Sequence, residues 1–308
     1  MEGGPSPGGL GQPVSRQVAV AVVLGCLALA WLCGTFTGSG LPALLGEAEG
    51  RGSCGQATGC WWELLRGEGP TRAARLARTA GAFGISLAIG GSGLGARDRR
   101  LLQLALGLTV VGDLFLVLIP GALPGAGPAS FLVGVCAFLA AHLALIARHG
   151  AGLRASLRRP EGARARWYGG LALLWAAAAA AVLGWARPLM AALPGHLFWI
   201  FLLYVAVLAA GVWAGTTAWL RPAFSPRRGP ALTANAALIG VGVVCLGVTD
   251  LAVGVEHLYR RSGEGAGCAA IITVLKDLCY TPALMALACS GFVWFGPDTR
   301  PLGAQGRA

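Results

Sequence analysis

A succession of apolar runs constrains this chain more than any other feature. A membrane-spanning helix needs about 20 residues at about 1.5 Å each, and runs of about 18 to 25 recur along the sequence. Eight of them cover residues 17–37, 76–94, 101–119, 129–147, 168–186, 197–219, 232–254 and 268–292, joined by connections rich in Gly, Pro and Arg. Composition agrees: 56% of residues are hydrophobic and 12% charged, with a mean hydropathy of +0.67, against roughly 25% charged in an ordinary soluble domain. The expected fold is all-α: a polytopic membrane protein with eight transmembrane helices in one bundle. Residues 1–16 would form an N-terminal tail, 17–295 the transmembrane domain with a long loop at 38–75, and 296–308 a C-terminal tail.

Basic residues set the orientation, because Lys and Arg concentrate in cytoplasmic loops. Of the 24, fifteen fall on the side of Arg16, Arg97–Arg100, Arg148–Arg166, Arg221–Arg228 and the C-terminal tail. Eight fall on the other side, and Lys276 lies inside the last run. Both termini are therefore expected in the cytosol, and the net charge of +11 reflects topology and anionic lipid head groups. No pattern of a nucleic-acid-binding module is present. A signal peptide is the alternative for residues 17–37, but no A-x-A-like cleavage site follows, which favours a retained helix.

Most of the nine cysteines sit in apolar runs, where a thiol packs as a small hydrophobe: Cys26, Cys33, Cys136, Cys245, Cys279 and Cys289. Cys54 and Cys60 lie in the non-cytosolic loop, with Cys268 near the same side; the first two either pair as a disulfide in an oxidising lumen or remain thiols. There is no CxxC pair, His-rich tract or HExxH, so no metal or other cofactor is expected. Absence of G-x-S-x-G argues against a common serine hydrolase.

Ionisable residues inside membrane helices are rare and mark cavities or partners. Here they are Asp113, His142, Asp250, Lys276 and Asp277. Counted from the ends of their apolar runs, Asp113, Asp250 and Asp277 fall about 6 to 14 Å below the same surface and could line one cavity. His142 counts to the opposite half of the bilayer. Lys276 and Asp277 point about 100° apart and are each expected to pair across the bundle. His142 is equally readable as a hydrogen-bonded packing residue and as a functional one. Asp113 and Asp250 have no basic residue on their own helix face, which favours function. VVGDLFLV and GVTDLAVG share V-x-D-L around the acid, four helices apart, as a parallel repeat would.

Gly112-Asp113 is followed by Phe131, Gly134, Phe138 and His142 in FLVGVCAFLAAH, by Tyr204 in FLLYVAVLAAGVW, and by Thr249-Asp250 in VVCLGVTDLAVGVEHL. In this order the chain resembles the lysoplasmalogenase family, also called YhhN-like, over most of residues 17–292. It departs from the family pattern at Leu145, where an aromatic residue is usual, and at Thr249, where Ser is usual. Arg78 only loosely echoes the Lys-Pro-like entry to the second helix. In the last helix Tyr280 stands without the family's second tyrosine or its Gln.

The resemblance implies hydrolysis of the vinyl ether bond of a lysoplasmalogen to a fatty aldehyde and a glycerophospho-ethanolamine or -choline, in an endomembrane such as the endoplasmic reticulum. The partners it implies are a lysophospholipid substrate and the bilayer. Such chemistry needs a proton at the outer vinyl carbon and water at the resulting oxocarbenium ion, so Asp113 and Asp250 become the acid and base, in either order. His142, Tyr204, Tyr280 and Asp277 are then candidates for holding water or the head group. The rival readings are a proton- or ion-coupled transporter using Asp113, Asp250 and Lys276, and a catalytically silent lipid-binding scaffold.

Overall fold

A computed structural model describes residues 68–88, 96–119, 127–158, 162–190, 195–224, 230–262 and 266–290. The apolar run at 17–37, Cys54 and Cys60, and the C-terminal tail lie outside them. The described residues form seven α-helices and no strand: α1 Glu68–Ala88, α2 Ala96–Asp113, α3 Gly127–Arg158, α4 Gly162–Met190, α5 Gly195–Leu220, α6 Pro230–Ser262 and α7 Ala266–Cys289. A π-helical turn, Leu114–Leu118, continues α2 directly after Asp113, with the Ile119 N–H donating to the Leu114 carbonyl. A 3-10 turn, Arg221–Phe224, ends α5.

Each helix packs on the next in a closed circuit, α1–α2–α3–α5–α6–α7 and back to α1. The core of this circuit gathers Ile85, Leu102, Phe138, Leu246, Tyr280 and Leu284 from five of the six helices. α4 stands outside, packed chiefly on α5. Trp175 donates from α4 to Thr216, and Trp213 donates from α5 to the Tyr168 carbonyl, so indole N–H groups fasten it. Trp167, Leu173, Leu174 and Trp185 of α4 are exposed, an apolar surface that lipid can cover and water would not.

Four helices carry segments long and apolar enough to cross a bilayer: Ala129–Gly150, Gly162–Pro188, Leu197–Phe224 and Thr233–Glu256. The protein is an integral membrane protein on that ground. The other three described helices do not reach that length and apolarity among the described residues; Arg72, Arg75 and Arg78 lie in α1, Arg97–Arg100 in α2, and Lys276 with Asp277 in α7, whose apolar stretch is Leu278–Cys289. Helix α1 also begins before the expected residue 76, so Arg75 is helical rather than flanking.

Candidate functional site

The G-D and F-x-x-G-x-x-x-F-x-x-x-H segments meet where α2 crosses α3. A Cβ on Gly112 would lie 2.5 Å from the Phe138 ring, and one on Gly134 would lie 2.5 Å from Leu116 Cγ. Side chains of either helix therefore press directly on the backbone of the other, which only glycine permits. Phe131, Gly134, Phe138 and His142 recur at helical spacing and share one face of α3. That face carries the two phenylalanines to a cavity and His142 to α6.

His142 Nε2 lies 2.5 Å from Asp250 Oδ2, both groups buried. The Tyr204 ring stands edge-on to the imidazole with centroids 6.2 Å apart, and Tyr204 and Asp250 line the same cavity. This corrects the assignment of His142 and Asp250 to opposite halves of the bilayer. Depth counted from the ends of apolar runs misleads here, because both helices continue past them: α3 starts at Gly127 and α6 ends at Ser262. His142 is then about 22 Å from the start of α3 and Asp250 about 18 Å from the end of α6, nearly level in antiparallel helices.

Asp113 has a different environment. It is 0% exposed, and Arg75 of α1 sets Nε and Nη2 each 3.0 Å from its Oδ1. On Oδ2, Thr79 Oγ1 donates at 2.5 Å and the Tyr280 hydroxyl of α7 donates as well. The Arg75 guanidinium also lies over the Tyr280 ring, 4.5 Å from its centroid. One carboxylate thus ties α1, α2 and α7 through three side chains, and a buried charge is tolerated when its lone pairs are met in this way.

Between these two clusters lies an apolar cavity. Phe131, Phe138, Leu197, Phe201, Leu208 and Leu258 supply much of its wall. From Leu197 to Leu208 it follows α5 for about 16 Å. The ionisable side chains on its wall are Arg75, Asp250 and Tyr204. Asp113 does not line it, contrary to the expectation of two aspartates on one cavity; its partner Arg75 does. Tyr280, a candidate for holding water or the head group, is buried with its hydroxyl on Asp113.

Lys276 pairs across the bundle as expected, with Nζ 2.7 Å from Glu256 Oε2. The side chain of Asp277 lies outside the described residues. At the opposite end of the bundle Arg148 donates to Asp98 at 2.9 Å and to Ser290 Oγ at 2.9 Å, joining α2, α3 and α7. Among the described residues, no group of three or more His, Cys, Asp or Glu could hold a metal ion.

Sequence reasoning missed Arg75 and Thr79. Arg75 was counted as a topological flank, although Arg75 and Thr79 stand four apart, the spacing that places two side chains on one helix face. The chain has no match among curated proteins or among solved structures. Its residues 74–290, which hold both clusters and the cavity between them, match the YhhN family model, and the chain belongs to the YhhN family.

Proposed function

We propose that the protein is a lysoplasmalogenase-like hydrolase that cleaves the vinyl ether of a single-chain phospholipid. The observation that carries this reading is a hydrogen-bonded carboxyl–imidazole pair, Asp250 with His142, whose carboxylate lines an apolar cavity. Family membership supports a hydrolase.

In the proposed reaction the Asp250–His142 pair holds one proton and gives it to the outer vinyl carbon. The C=C bond becomes C–C, and the ether oxygen stabilises the adjacent carbocation as an oxocarbenium ion. Water adds to that carbon and returns a proton to the pair, and the hemiacetal breaks to a fatty aldehyde and the free glycerol hydroxyl. The ionised pair stabilises the cation between the two proton transfers. Tyr204, edge-on to His142 and on the same cavity wall as Asp250, is the residue to orient the water. Asp113, saturated by Arg75, Thr79 and Tyr280, serves as a positioning residue rather than as the second catalytic acid.

The proposal extends to an endomembrane location and to the eight spans of the apolar runs, and to cytosolic termini, which the distribution of basic residues supports. The test is aldehyde release by purified protein from a lysoplasmalogen, with the ester lysolipid of equal chain length as control. Release from the vinyl ether substrate alone is expected. Solute-driven proton flux in liposomes without aldehyde release would establish the transporter reading instead.

A further inference from the structure

We infer that Arg75 is the anion anchor of the cavity: it binds the phosphate of a single-chain phospholipid and thereby separates phospholipids from neutral lipids of equal chain length. The inference deepens the proposed hydrolase reading and rests on it for the identity of the ligand's class.

The cavity wall is almost wholly apolar, yet one cation is built into it. Arg75 is only 13% exposed, and its position is fixed from three directions. Asp113 Oδ1 receives Nε and Nη2 at 3.0 Å, the Tyr280 ring underlies the guanidinium at 4.5 Å, and Thr79 and Tyr280 hold the far carboxylate oxygen. None of these partners lines the cavity; Arg75 does. The arrangement holds a planar fork in one orientation beside an apolar space, and a guanidinium fork matches phosphate and carboxylate geometry. An occupant that satisfies both the fork and the walls carries one anionic group and one hydrocarbon chain.

Asp250, on the same cavity, supplies a second argument. Arg75 and Asp250 line the same cavity, so anchor and reacting carboxyl face one apolar space. In a glycerophospholipid the phosphate and the first-chain ether oxygen are joined by the three-carbon glycerol, so holding the phosphate at Arg75 presents the ether to the Asp250 side. Asp113 acts on the ligand only through Arg75, as a positioning residue.

The experiment measures binding rather than turnover, so it stands apart from the hydrolase test. Purified full-length protein in nanodiscs is titrated with 1-acyl-lysophosphatidylcholine, with the matching 1-monoacylglycerol and with the matching fatty acid, following tryptophan fluorescence. Wild type is expected to bind the lysophospholipid at least about tenfold more tightly than the monoacylglycerol, the scale of one charge-assisted contact. Arg75→Gln should erase that preference, so that the two lipids bind alike. Because Arg75→Gln leaves Asp113 buried without its cation, the double variant Arg75→Gln/Asp113→Asn, which buries no unpaired charge, is measured beside it and should show the same loss. Equal binding of the two lipids by wild type, or a preference that survives in the double variant, would overturn the inference. Preferential binding of the fatty acid over the lysophospholipid would overturn the phosphate assignment. Intact phosphate preference in a protein that releases no aldehyde would sink the hydrolase reading and leave the anchor standing.

Discussion

His142 of α3 and Asp250 of α6 meet at 2.5 Å in the interior of the bundle, 108 residues apart in sequence. Acting as one proton-holding unit, they should fail as one. Asp250→Asn and His142→Gln are each expected to lower kcat/KM for aldehyde release by about 10²- to 10⁴-fold, the usual worth of general acid–base catalysis. The double variant should be little worse than the poorer single one, since residues that act as a unit are not additive. Losses that multiply would show that the two work independently.

Asp113 should report in stability rather than chemistry. Asp113→Asn removes the charge that balances Arg75 in a buried site, and breaking such a pair by one partner costs about 3–5 kcal/mol. A large fall in the thermal midpoint is expected, recovered in good part by adding Arg75→Gln. Asp250→Asn should shift the midpoint far less, because neutral His142 remains a hydrogen-bond partner for the amide.

At the α2–α3 crossing, Gly112→Ala places a methyl 2.5 Å from the Phe138 ring. Overpacking of this kind costs about 1–3 kcal/mol, and Phe138→Leu in the same chain should restore part of it. A Gly112→Ala protein as stable as wild type would show that the helices can separate without loss.

Topology is testable by protease protection. A C-terminal tag is expected to be cleaved from the cytosolic face, the side to which fifteen basic residues are assigned against eight. On the same assignment Cys54 and Cys60 face an oxidising lumen, and a disulfide between them would leave neither thiol open to labelling without prior reduction. A protected tag would refute the orientation. Full labelling of both cysteines in the unreduced protein would refute the disulfide.

The helical class, the order of the helices and the presence of Asp113, His142 and Asp250 inside apolar helices follow from residue types alone. Apolar length and a charge stranded within it are properties of a short window, so they are readable without a partner. The glycines of the G-D and F-x-x-G motifs could be seen as a pattern, but not as the points where Phe138 and Leu116 press on a backbone. Pairing was decided only by the tertiary structure. Arg75, a flank residue in a linear count, reaches Asp113 across α1 and α2; His142, placed in the wrong half by counting along apolar runs, reaches Asp250 because α3 and α6 extend past those runs and cross at one level. A buried charge needs a partner within about 4 Å, and which residue meets that need depends on how helices pack, which no single helix encodes.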